Sequence, residues 1–198
     1  MAAVAEPRSG DGRRLVLLGP PGSGKGTQAE LLARWAGIPA ISTGRMLRQA
    51  VRSGDSLGER VEDVMASGDL VDDATMAEVV RGRLGATDAA RGFVLDGYPR
   101  TLGQARDLER ILDDLPAHLD AVIAIEVPEE ELVRRALARQ RADDTTDVIR
   151  ERLRVYHRET EPLIDHYRGT ELLSEVDGDQ TIDEVFDTIV AAIDGEES

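Results

Sequence analysis

Five short apolar runs alternate with longer stretches of helical periodicity, and this alternation constrains the fold more than any other feature. The runs are RLVLLG (13 or 14 to 19), PAIS (39–42), GFVLD (92–96), AVIAIEV (121–127) and ELLSEVD (171–177). They are too short and too β-branched for helices, and their apolar residues follow one another directly, as in strands buried on both faces. Between them, residues 24–36, 101–114, 128–140, 145–168 and 181–193 carry apolar residues at helical spacing. The pattern predicts an α/β fold of three layers, a five-stranded parallel sheet flanked by helices.

Residues 43–91 break the rhythm with three helical patterns and no strand: TGRMLRQAVRSG, LGERVEDVMASG and DDATMAEVVRGRLG. Gly54, Gly68 and Gly85 fall where C-terminal stops belong, and Asp72 or Asp73 where an N-cap belongs. The stretch is too long for a simple crossover and reads as an inserted helical lobe. With 198 residues, 41% of them hydrophobic, the chain suits one globular domain. Residues 1–12 read as a flexible tail ahead of a domain spanning 13–198.

Charge then narrows the partners. A net charge of -15 disfavours a broad footprint for nucleic acid, so an anionic ligand must meet a local basic site. The acid surplus, with arginine in place of lysine and no asparagine, fits a high-salt cytoplasm or genomic base composition equally well. Without cysteine there is no disulfide framework and no thiolate metal site. No apolar stretch approaches the roughly eighteen residues of a membrane span, and the N-terminus lacks a signal-peptide pattern. A cytoplasmic protein with no membrane or nucleic-acid partner is expected.

The only lysine is Lys25, inside GPPGSGKGTQ. This glycine-rich segment follows an apolar strand and opens an amphipathic helix, the context that marks a phosphate-binding P-loop. Its backbone N–H groups can curl around phosphate oxygens at a helix N-terminus. The compact ammonium reaches over that cradle, a role the flat guanidinium fits poorly. The usual hydroxyl residue after the lysine is Gly26, with Thr27 next. That moves the expected metal contact to Asp96, at the end of GFVLD, holding Mg²⁺ through water.

Four motifs in order, GPPGSGKGTQ, ISTGRMLR, LDGYPRTLGQA and RADDTTDVIRERLRVY, give the chain a close resemblance to adenylate kinases of the short-lid type, from about Arg13 to the last helix. The resemblance implies a P-loop NTPase fold with a core of 13–42, 92–137 and 145–198. Residues 43–72 would be the lobe binding nucleoside monophosphate, and 138–144 the short lid. ATP would be met by Gly22, Ser23, Gly24, Lys25, Gly26 and Thr27, with Arg135, Arg139 and Gln180 also on the ATP side. AMP would be met by Thr43, Gly44 and Arg48, by Asp69, Leu70 and Val71, and by Gly97, Tyr98, Pro99 and Arg100. Gln104 would bond the base, and Arg141 and Arg152 would join the phosphates. Lys25, Arg100, Arg139, Arg141 and Arg152 would be the catalytic set. The implied reaction is reversible Mg²⁺-dependent transfer between ATP and AMP, by a monomer. Arg45 departs from the family's usual acidic residue, and Asp72 from its proline.

A phosphate acceptor is already an anionic nucleophile, so no general base is required. His118, His157 and His166 read as surface or structural residues. The rival readings are a UMP, CMP or GMP kinase, a nucleotide-binding switch, and a subunit that binds without transfer. Thr43 and the PRTLGQ run favour AMP, the absence of asparagine removes a guanine-reading NKxD motif, and the full arginine set disfavours a silent binder.

Overall fold

The computed structural model describes residues 12–138 and 145–195. Five strands form one parallel sheet: β1 (Arg14–Leu18), β2 (Ala40–Ser42), β3 (Phe93–Asp96), β4 (Ala121–Glu126) and β5 (Leu173–Asp177), in the order β2-β3-β1-β4-β5. Each predicted run carries one strand. Along β1, Leu15 and Leu17 enter the core on one face while Val16 and Leu18 enter it on the other. This double burial is why the runs are continuously apolar. Each large side chain removed from water contributes about 1.5–3 kcal/mol.

One face is covered by α1 (Lys25–Ala36) and α9 (Ile182–Asp194), whose Leu32, Val185 and Ile189 pack with Val94, Ile123 and Ile125. A capping box opens α9, with both reciprocal bonds between Thr181 and Glu184 in place. The opposite face packs against α4 (Asp73–Leu84), α5 (Leu102–Asp114) and α8 (Pro162–Arg168) through Val80, Leu108, Ile111 and Leu163. Between α6 (Glu129–Ala138) and α7 (Thr146–Val155) lies a small cluster of Leu132, Ala136, Ile149 and Leu153.

In the inserted region, α2 (Thr43–Ser53) and α3 (Ser56–Ser67) pack on each other. Left-handed Gly54 and Gly68 end them, whereas Gly85 ends α4 in the right-handed region and leads into a 3₁₀ turn at Thr87–Ala89. Asp72 is the N-cap of α4, accepting from the Thr75 N–H at 2.9 Å, and this frees Asp73 for a different role.

The pattern over 145–168 reads as one helix, but the structure interrupts it. Tyr156–Thr160 is a π-helical turn, with the Glu161 N–H donating to the Tyr156 carbonyl at 2.9 Å. Pro162 explains the widening: it has no N–H to give, and its ring crowds the carbonyl four residues back.

Candidate active site

Sheet order reverses at β1, which sends its successors to β2 and β3 on one side and β4 on the other. Such a switch point leaves a crevice beyond the C-terminal strand ends. A cleft of about 480 Å³ lies there, lined by the loops after β1, β2 and β3, by α2 and α3, and by Arg152 of α7.

The P-loop is shaped by glycines. Gly22 has φ 95°, and a Cβ there would lie 2.6 Å from the Leu132 carbonyl oxygen, so neither the backbone nor the space admits a side chain. Gly24 is the N-cap of α1, whose axis starts at Lys25. The Lys25 ammonium folds over the loop, its Nζ donating to the carbonyls of Gly19 (2.5 Å) and Pro20 (2.7 Å) and to Ser23 Oγ (3.2 Å). Its charge therefore sits at the mouth of the turn formed by the backbone N–H groups.

Ser23 is only 3% exposed, and its own N–H donates to Pro20. It braces the loop and does not line the cleft, while Gly22, Gly24, Lys25, Gly26 and Thr27 do. Asp96 faces the same place. Its Oδ2 accepts from Ser42 Oγ at 2.9 Å, and a Cβ on Gly26 would lie 3.6 Å from that oxygen. The bare glycine thus leaves a gap between α1 and an oxygen ligand, a hard donor suited to a hydrated Mg²⁺ shared with phosphates.

The same cleft gathers Thr43, Gly44, Arg48, Asp69, Leu70 and Val71 with Gly97, Pro99, Arg100 and Gln104. Thr43 is 1% exposed and spends its hydroxyl on the Gly97 carbonyl at 2.9 Å, so it fastens α2 to the loop after β3. Tyr98 differs from expectation. Its side chain is fully buried in the core, its hydroxyl has no protein partner, and burial pushes its pKa up, so only its neighbours face the cleft.

Arg100 is half-buried with its Nε donating to the Gly97 carbonyl at 2.9 Å. Burial lowers its pKa, the Asp96 carboxylate opposes this, and the Arg152 charge reinforces it. The guanidinium stays charged, so an arriving phosphate would supply counter-charge where little water can. Arg152 crosses towards the lobe: its guanidinium lies 3.5 Å from the Met65 carbonyl, and its stem runs against Gly68.

Arg135 lines the far end of the cleft, held by Glu131 (2.5 Å), the Gly178 carbonyl (2.8 Å) and Asp179 (3.1 Å). Gln180 follows that loop but is exposed, is not among the cleft-lining residues, and bonds Asp177. Arg139 and Arg141, with the expected lid 138–144 except Ala138, lie outside the described residues.

A family model described as adenylate kinase matches residues 17–172. The adenylate kinase of Nocardia farcinica is 52% identical over 180 residues, covering 91% of this chain and 98% of its own. Those of Xylella fastidiosa and Leptospira biflexa are 49% and 44% identical, covering 91% of this chain and 98% and 100% of theirs. The chain belongs to the adenylate kinase family.

For an adenylate kinase fold, several residues at or behind the cleft had no motif of their own. Thr160, 6% exposed on the π-helical turn, donates to the Arg100 carbonyl at 2.9 Å. Asp73 takes bonds from Thr101 and Gln104. A signal existed for Thr101, since T-x-x-Q is a capping-box pattern; Thr101 does cap α5, but the Gln104 side chain reaches the Arg100 N–H, one residue earlier than a capping box requires. Arg45, the charge departure, pairs with Glu30 of α1 at 2.7 Å, both largely exposed. The three histidines pair with Asp120, Glu161 and Glu109 away from the cleft lining. No described helix is long and apolar enough to cross a membrane.

Proposed function

We propose that this adenylate kinase family member catalyses ATP + AMP = 2 ADP, with Lys25, Arg48, Arg100 and Arg152 as its described phosphate-handling groups. The observation that carries the reading is that these four cations, from four separate motifs, line one cleft beside a P-loop. Gly22 to Thr27 would cradle the donor phosphates, and Arg135 would flank the donor base. Thr43, Gly44, the 69–71 backbone and the 97–100 loop would enclose AMP. Lobe boundaries of 43–72 and 138–144, and Arg139 and Arg141 as lid-side phosphate ligands, complete the proposal.

In the reaction an α-phosphate oxygen of AMP attacks the γ-phosphorus of ATP. The bond from that phosphorus to the β,γ-bridging oxygen breaks, and its electron pair leaves on the β-phosphate, so both products are ADP. Charge spreads over the equatorial oxygens in transit, and the work is positioning and charge stabilisation. Lys25 would exchange a loop carbonyl for a phosphate oxygen. Arg100, with its charge disfavoured by burial, would gain most from an adjacent phosphate. Mg²⁺, held through water at Asp96, would neutralise charge on the donor phosphates. A cytoplasmic monomer fits the acidic composition.

Lys25→Met tests the assignment. With ATP, Mg²⁺ and a panel of AMP, UMP, CMP and GMP, the parent should turn over AMP preferentially, and the variant should lose at least about a thousandfold in kcat. Near-normal turnover in a folded variant, or preference for a pyrimidine acceptor, would overturn it.

A further inference from the structure

Gln104 is 2% exposed, and both ends of its amide are engaged. Its Oε1 accepts from the Arg100 N–H at 2.8 Å, and its Nε2 donates to Asp73 Oδ1 at 3.0 Å. Asp73 is itself fixed. Both its oxygens accept from Thr101 Oγ1 at 3.0 Å, and they sit so close to α5 that a Cβ on Gly103 would lie 2.2 Å from Oδ2. A glycine at 103 is what lets the start of α4 press its carboxylate against α5.

We infer that Asp73 is a positioning residue for base selectivity: it locks the Gln104 amide in one polarity, so that the cleft reads a 6-aminopurine and rejects a 6-oxopurine. The inference rests on Gln104 reading the acceptor base. A primary amide keeps its shape when turned over, and only its partners decide which end is oxygen. Here a flip would set Oε1 against a carboxylate and the NH₂ group against an N–H. Both contacts become repulsive, at a side chain only 2% exposed. After its two protein bonds, the amide retains one N–H and one oxygen lone pair. Adenine offers N1 as acceptor and the 6-amino group as donor, which match those two. Hypoxanthine offers N1–H and O6, the reverse pattern, and would need the flipped amide. A pinned polarity therefore converts a shape-neutral side chain into a discriminating one.

Asp73→Asn removes the lock from one end. Its amide can accept from Gln104 or donate to it, so the flipped state regains a partner. Steady-state kinetics with ATP and either AMP or IMP should show the ratio of kcat/KM values, AMP over IMP, falling about tenfold or more, the order expected for a hydrogen bond to a charged group. KM for ATP should not change. A ratio that stays constant, including equal losses with both acceptors, would show that Asp73 serves only to start α4 and would overturn the inference. Gln104→Leu separates this from the underlying reading. If that variant keeps the parental ratio, Gln104 does not read the base and both fall; if it loses the ratio while Asp73→Asn keeps it, only the role of Asp73 falls.

Discussion

Replacing Gly26 by alanine should raise stability and lower activity together. Gly26 is the second residue of α1 and does not adopt a positive φ, so alanine fits its backbone. The nearest atom to the new methyl is Asp96 Oδ2, at an ordinary contact distance of 3.6 Å. Exchange of a helical glycine for alanine gains about 0.5–1 kcal/mol by reducing the entropy lost on folding. In a chain of this size that corresponds to roughly 1–4 °C in thermal midpoint. The same methyl, however, fills the gap between the P-loop helix and Asp96, where a hydrated cation would be held against the donor phosphates. Shifting reacting groups by about 1 Å costs up to about a hundredfold in rate. Calorimetry without nucleotide should therefore show a higher midpoint, and the coupled assay a lower kcat that saturating Mg²⁺ does not restore. A lower midpoint would refute the packing reasoning. An unchanged kcat across the Mg²⁺ range would refute the assignment of that gap to the metal.

Two further outcomes test other parts of the site. Thr160→Val strips the Arg100 carbonyl of a buried partner and should cost about 1–3 kcal/mol in urea unfolding, with KM for AMP raised; a loss below 0.5 kcal/mol on the order expected of a surface change would contradict this. Glu131, bonded by Arg134 and Arg135, has its pKa lowered from 4.5 to about 2. The folded value lies below the ordinary one, so the contact that holds Arg135 is intact above the ordinary carboxylate range and fails only as pH falls through about 2. An NMR titration of the Glu131 carboxyl carbon should find its midpoint near 2, and a midpoint above 4 would show that the pairing does not persist in solution.

The sheet was legible because burial on both faces leaves a one-dimensional trace, a continuous apolar run, and strand ends fell within two residues of those runs. The P-loop was legible for a related reason: its function depends on glycines and one lysine that are neighbours in the chain. The polar frame behind the cleft was not. Thr101 and Asp73 are 28 positions apart and Thr160 and Arg100 are 60 apart, and contacts of that span have no period for a sequence to display. Tyr98 misled for the opposite reason. It is adjacent to residues that line the cleft, yet the chain turns there and sends its ring into the core.

The π-helical turn at Tyr156–Thr160 also sets the phase of everything after it. Each residue of an α-helix advances by about 100°. The wider turn absorbs one extra residue; forced into a straight α-helix, the same residues would rotate the following segment by about that angle. Ile164 and Tyr167 would then turn away from the core, and His166 would be carried towards it. The wider turn works as a phase shifter between two requirements that a straight helix of the same residues cannot meet at once: Arg152 aimed at the cleft on one side, and an apolar stripe aimed at the core on the other. Removing one residue from the turn would restore a regular helix with the phase kept, whereas adding a further one would rotate the apolar stripe out of the core, so this segment should accept the loss of a residue far more readily than the gain of one.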